Sequence, residues 1–72
     1  MPDGVYRVTE IVGSSSEGVA QAIEVAAGRA AETLRNLDWF EVTNIRGHFE
    51  NEAIAHYQVT VKIGFRLDDA AP

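Results

Sequence analysis

Residues 53–67 carry the clearest alternation of apolar and polar side chains in the chain. One face would hold Ala55, Tyr57, Val59, Val61, Ile63, Phe65 and Leu67, and the other Ile54, His56, Gln58, Thr60, Lys62, Gly64 and Arg66. A period of two residues predicts a β-strand with one buried face. At ~3.3 Å per residue such a strand is long for a small protein, so we expect one helix to cover only part of it.

Two further segments also predict strands. Val5 to Val12 is rich in β-branched residues and has two partly apolar faces, and Phe40 to Phe49 alternates loosely. Gly47 marks a candidate bulge or tight bend. Residues 50–52 predict a short turn that makes the last two strands an antiparallel hairpin.

The pairing within this hairpin can be guessed from the turn. Pairing that is symmetric about Asn51 would place Asn44 opposite Gln58 and Arg46 opposite His56. A bulge at Gly47 would shift that register by one residue. In either case the face turned away from the apolar side chains is rich in polar groups.

Between the first two strands, a helical pattern runs from about Ser16 to Asn36. Its apolar stripe, spaced by three or four residues, consists of Val19, Ile23, Ala26, Ala27, Ala30, Leu34 and Leu37. Ser14 with Glu17 fits a capping box, and Ser16 is an alternative N-cap. Because the stripe is mostly alanine, we expect the helix backbone to approach the sheet closely.

The fold class predicted from this order is α+β, with β-α-β-β order and an antiparallel three-stranded sheet wrapped on one helix. We expect a single domain over residues 1–72, with frayed ends at 1–3 and 68–72. A chain of 72 residues without cysteine has neither a disulfide nor a large core to stabilise it. Self-assembly is therefore the expected way to complete the core.

The net charge limits the classes of partner that we expect this protein to bind. The formal net charge is −5, which argues against nucleic acid and against an anionic membrane surface. No apolar run approaches the ~18 residues of a membrane span, and the N-terminus lacks the features of a signal peptide. The sequence thus predicts a cytoplasmic protein.

The residues that could carry chemistry favour binding over catalysis. No phosphate loop or paired nucleophile and base is visible, and the serines at 14–16 are better explained as a helix cap. Trp39, the single tryptophan, is either a core or interface anchor or a stacking surface for a flat aromatic ligand. Gln58 is either solvated or a bidentate donor and acceptor for a heterocycle edge. His48 and His56 are more simply polar-face residues than metal ligands, and no metal site is expected.

The sequence resembles the dodecins, a family of small flavin-binding proteins. The resemblance covers nearly the whole chain and rests on its length and on three stretches, VYRVTEIVGSSSEG, AAETLRNLDWFEV and NIRGHFENEAIAHYQVTVKIGF. The chain departs from many relatives at residues 17–19, where an aromatic residue is common.

The resemblance implies a hollow homododecamer in which flavins bind in pairs between symmetry-related tryptophans. Trp39 matches that tryptophan, and Gln58 matches the glutamine that bonds the polar edge of the ring. Arg46 and His48 fall in the pocket-lining segment, with Arg46 toward an FMN phosphate. Some relatives also bind coenzyme A on the outer surface, for which Arg66 is a candidate contact.

The function that follows is storage or sequestration of flavin, with FMN first and riboflavin or FAD as alternatives. An indole stacked on the ring would quench the excited flavin and so protect against its photochemistry. The sequence also fits an oligomeric structural or interaction module without a small ligand. A small enzyme with His48 and His56 in an intersubunit site is a third alternative.

Overall fold

The computed structural model describes residues 3–68 and confirms the predicted order of strands and helix. The elements are β1 (Tyr6–Ser15), α1 (Val19–Thr33), β2 (Leu37–Glu50) and β3 (Ala53–Arg66). They form one antiparallel sheet with strand order β1-β3-β2. The longest alternating segment is thus the central strand, and it is paired on both edges.

The helix lies on the face of the sheet that the alternation predicts. Ala22, Ala26 and Ala30 are buried against three side chains of β3, which are Val59, Val61 and Ile63. Because alanine has so short a side chain, the helix backbone comes close to the strands. The resulting core is small, and its largest fully buried side chains are valines.

Both ends of the helix differ from the prediction. The strand β1 continues through Ser15, and the helix begins at Val19 after Gly18, which makes no side-chain capping bond and has φ 155°. The capping box of Ser14 and Glu17 and the alternative cap at Ser16 are therefore wrong. The reason is that residues 13–15 stay paired with β3, while Ser15 Oγ accepts a hydrogen bond from the Glu17 N–H at 2.9 Å.

The helix ends at Thr33 rather than Asn36, and Leu37 belongs to β2. The chain leaves the helix at Leu34, which is extended with φ −110° and ψ 149°. Asn36, with φ 63°, then takes a left-handed conformation that asparagine tolerates, just before β2. Its Nδ2 donates to the Arg66 carbonyl oxygen at 3.2 Å and to Asp68 Oδ1 at 2.7 Å. This side chain therefore joins the helix end to the end of β3. Of the ends expected to be frayed, residues 1–2 and 69–72 lie outside the described residues.

The register of the hairpin also differs from the prediction. Arg46 lies opposite Gln58, and His48 lies opposite His56, so the expected pairs of Asn44 with Gln58 and of Arg46 with His56 are wrong. The tight turn consists of Asn51 and Glu52, with φ 53° and 68°, as in a two-residue hairpin loop. A register shift between His48 and Phe49 adds the rest of the offset, whereas Gly47 is paired regularly with Tyr57.

One side of β2 is not covered by any other element of residues 3–68. Phe40, Val42 and Ile45 lie opposite the core residues of β3 and therefore face the helix side of the sheet. Yet they are 56%, 36% and 55% exposed, because the helix packs on β1 and β3. The radius of gyration is 15.2 Å, against about 11 Å for a compact chain of this length. We call these three side chains the β2 apolar strip, and its exposure indicates that other chains cover it.

Gly13 and Gly28 provide a test of how closely the helix packs. A Cβ at Gly13 would lie 2.1 Å from the Ala22 carbonyl oxygen, whereas one at Gly28 would meet nothing within 4 Å. We expect Gly13→Ala to destabilise the fold by about 3 kcal/mol through overpacking. Gly28→Ala should stabilise it by about 0.5–1 kcal/mol. Thermal unfolding at one protein concentration measures both, and equal effects of the two substitutions would contradict the packing.

The β2 apolar strip generates a second prediction. Ile45→Glu should break the assembly into smaller species, because it places a charge where an apolar contact is needed. Ala20→Glu adds the same charge on an exposed position of the helix and should leave the assembly intact. Size-exclusion chromatography with light scattering measures the mass of both variants. If Ile45→Glu keeps the mass of the wild type, the strip is not an interface.

Candidate functional site

The face of the sheet opposite the helix carries most of the candidate residues. Cross-strand partners share a face, so the residues of β2 and β3 out of phase with the core lie here together. They are Trp39, Glu41, Asn44, Arg46 and His48 in β2, and His56, Gln58, Thr60, Lys62, Gly64 and Arg66 in β3. We call this surface the polar face.

Three of the four predicted site residues meet near the hairpin. Gln58 lies between Arg46, its cross-strand partner, and His48, whose Nε2 is 2.9 Å from Gln58 Oε1. The His48 ring stacks on that of His56, with 4.7 Å between centroids and 16° between planes. Arg46 Nε donates to Asn44 Oδ1 at 3.2 Å. These five side chains form the polar cluster, which is held in place by its own hydrogen bonds and by ring stacking.

The hydrogen bond from His48 determines what Gln58 offers to a ligand. When His48 Nε2 carries the proton, it donates to Gln58 Oε1, which leaves the amide NH₂ free to donate and one oxygen lone pair free to accept. Gln58 then presents a donor and an acceptor side by side, as a bidentate contact requires. Within residues 3–68 the two Nη groups of Arg46 have no hydrogen-bond partner, so they remain available for an anion.

Trp39 lies apart from the polar cluster. It is the third residue of β2, because that strand begins at Leu37 and not at Phe40 as predicted. Its cross-strand partner is Gly64, six residues from Gln58 along β3, which corresponds to ~20 Å. A single chain therefore cannot place its own indole and its own Gln58 carboxamide on the same small ring system.

Arg66, at the end of the polar face, also borders a second surface. A groove of about 370 Å³ is lined by Asn36, Leu37, Asp38, Arg66, Leu67 and Asp68. It holds carboxylates as well as the guanidinium, and Arg35 Nη2 lies 3.3 Å from Asp68 Oδ2. The groove is therefore of mixed charge, and the prediction of coenzyme A at Arg66 stays a prediction.

Two residues that contact predicted site residues, His56 and Gly64, were not predicted as part of the flavin site. His56 supports His48 by stacking, which only the corrected register could show. Gly64 lies under the indole, and the signal for it was a glycine in the middle of an otherwise regular strand, which often marks close approach of another group.

Two kinds of site can be checked over the residues that the structure describes. No group of three or more His, Cys, Asp or Glu side chains there is suited to hold a metal ion. The helix formed by this part of the chain is also too short and too polar to cross a bilayer.

With this geometry in place, comparison with known proteins identifies the family. Residues 5–68 match the family model described as Dodecin. The curated dodecin of Thermus thermophilus is 49% identical over 65 residues, which cover 90% of this chain and 94% of that protein. The structure of dodecin from Streptomyces coelicolor matches with a TM-score of 0.91 and 54% identity over 97% of this chain and 100% of that one. The chain belongs to the dodecin family.

A more distant likeness shows the fold alone. The structure described as calcium dodecin, a calcium-chelating antigen from Mycobacterium tuberculosis, has a TM-score of 0.79 at 22% identity, covering 94% of this chain and 97% of that one. The β-α-β-β unit is thus kept while the sequence differs widely.

Proposed function

We propose that this protein binds flavin, FMN in particular, and that it stores and quenches it within a homododecamer. The observation that carries the proposal is the polar face itself. It presents the single indole, 43% exposed, and the hydrogen-bonding cluster around Gln58 on one continuous surface. Membership of the dodecin family supports the same conclusion.

Each candidate side chain matches a part of FMN. The isoalloxazine ring is planar and aromatic, and Trp39 offers an indole face for stacking. The pyrimidine edge of the ring alternates N–H and C=O groups, which a carboxamide such as Gln58 pairs with bidentately. The guanidinium of Arg46 suits the phosphate, and His48 holds Gln58 in the orientation that the ring edge requires.

The separation of Trp39 from Gln58 makes the site a shared one. If each ring is to meet both groups, the indole and the carboxamide must come from different chains. The β2 apolar strip offers the surface through which chains associate, and the dodecin-type arrangement stacks two flavins between two tryptophans. In such a stack, one face of each ring is covered by indole and the other by the second flavin.

Storage rather than turnover follows from that arrangement. A substrate that exchanges hydride with a flavin must approach the ring face, and the stack leaves neither face open. The indole, an electron-rich ring in contact with the excited flavin, would quench it by electron transfer. We therefore propose binding and photoprotection, not an enzyme; cytoplasmic location stays a prediction.

A second candidate is an interaction module without a small ligand, which the β2 apolar strip favours. In that case, Trp39 would serve only as a contact between chains. The purified protein would be colourless and would not change the fluorescence of added FMN, so the titration that follows also decides between the two candidates.

Replacement of Trp39 tests the stacking. Titrating FMN with excess wild-type protein should abolish most of its fluorescence. Trp39→Ala should weaken binding by roughly tenfold or more, because the stacking surface is lost. Trp39→Phe is the matched control, since it keeps a stacking ring that is a poorer electron donor, and it should retain affinity better than it retains quenching. Undiminished FMN fluorescence with the wild type contradicts the proposed function.

Mixed assemblies test whether the site is shared. Trp39→Ala and Gln58→Ala chains should each bind FMN weakly alone. When they are co-expressed with different tags, some sites combine an intact indole from one chain with an intact carboxamide from another, and strong quenching should return in part. Native mass spectrometry confirms mixing. If the mixed assemblies quench no more than the sum of the two variants, both groups must come from one chain, against the ~20 Å separation along the strand.

A further inference from the structure

We propose that Gly64 is the positioning residue for Trp39, and that its lack of a side chain holds the indole against β3 with one face free for a planar ligand. This inference deepens the proposed function, and the part of it that concerns ligand binding rests on that function. It concerns a residue that touches no ligand and acts through the indole.

The contact between the two residues is close. A Cβ built on Gly64 would lie 2.1 Å from Trp39 Cε2, 2.2 Å from Cζ2 and 2.6 Å from Cδ2. These three atoms are neighbours in the ring system, and a point so near to all three lies over the face of the ring and not beyond its edge. The face of the indole thus covers the Gly64 backbone, and any side chain at that position would have to displace it.

Burial supports the same geometry. Gly64 is buried although it lies on the polar face, away from the helix, whereas Lys62 on the same face is exposed. The group that covers Gly64 is the indole of its cross-strand partner. Trp39 in turn keeps 43% of its surface, close to the half that remains when one face of a flat ring is covered.

A glycine at this position is otherwise unfavourable. Glycine inside a strand loses backbone entropy and packs no side chain, and Gly64 lies within the central strand, paired on both sides with Val8 and Trp39. The close approach of the indole is the compensating contact. The consequence for binding is that each chain offers a single stacking face whose direction is fixed by the strand.

Gly47 provides the matched control. It is also a strand glycine, but a Cβ there would lie 3.7 Å from the His56 carbonyl oxygen and 3.9 Å from Ile54 Cγ2, which are ordinary contacts. Gly47→Ala should therefore leave the indole in place, while Gly64→Ala should lift it from the strand.

The first measurement determines how accessible the indole is in the absence of flavin. Because Trp39 is the only tryptophan, quenching of protein fluorescence by acrylamide reports on this side chain alone. In Gly64→Ala the quenching constant should rise by up to about twofold, since the second face of the ring becomes accessible. Far-UV circular dichroism and light scattering confirm that the variants are folded and assembled.

FMN titration then measures how the position of the indole affects ligand affinity. Gly64→Ala should weaken FMN binding by about tenfold, comparable to loss of the stacking ring, and Gly47→Ala should bind as the wild type does. In a Trp39→Ala background, Gly64→Ala should add no further loss of affinity or of thermal stability, because no indole remains to be displaced. If Gly64→Ala alone fails to fold, the double variant still tests the proposal, because it should fold as Trp39→Ala does.

The outcomes distinguish the positioning role of Gly64 from the proposed flavin-binding function. An unchanged acrylamide quenching constant in Gly64→Ala overturns the positioning role, whatever the wild type binds. A displaced indole with unchanged FMN affinity overturns the link between position and binding. A further loss of stability in the Trp39→Ala background shows that Gly64 serves the strand and not the indole. If the wild type does not bind FMN, the proposed function is wrong, and so is the claim that the position of the indole supports FMN binding. The acrylamide result still decides whether Gly64 positions the indole.

Discussion

A mismatch in size between one helix and one sheet underlies the rest of this structure. The helix has 15 residues, or ~22 Å, and the hairpin strands have 14 residues each, or ~46 Å, at the usual rise per residue. The helix covers part of β1 and β3 and leaves β2 bare on both sides. Among residues 3–68 the buried side chains are three alanines, two valines and an isoleucine, a small core for a protein without disulfides. The apolar side chains that would complete it, those of the β2 apolar strip, lie exposed on the helix side of the sheet, where another chain could bury them.

The same mismatch explains why the polar face holds a divided site. A strand long enough to extend past the helix carries Trp39 at one end of the hairpin pairing and the polar cluster toward the other. Neither part is a pocket by itself, since every residue of β2 is exposed. The proposed shared site needs the two parts from different chains, and the β2 apolar strip, on the opposite face of the same strand, is the exposed surface through which chains could associate. Completing the core and completing the site would then be one event, so that binding depends on assembly.

Much of this could be predicted from the sequence, and the failures have identifiable causes. Alternation in β3 predicted which side chains face the helix, because a half-buried strand has an exact period of two. The helix cap failed because strand pairing extended β1 over serines that local preference assigns to a cap. The register failed because the loop geometry and a bulge near His48 are set by backbone conformation, which the residue types do not specify. That error concealed that Gln58 lies opposite Arg46 and contacts His48, although each residue had been predicted as part of the site.

Gly13 and Gly64 show how a thin sheet accommodates groups on both of its faces. At Gly13 a side chain would run into the helix backbone at Ala22, and at Gly64 it would run into the indole of Trp39. Each glycine weakens its strand but lets a larger unit lie directly on the backbone. On one face that unit is the alanine stripe of the helix, which closes the core. On the other face it is an aromatic ring whose free side stays exposed within the chain. The two glycines thus have opposite consequences, because one completes the fold of the chain and the other leaves a surface open for a partner.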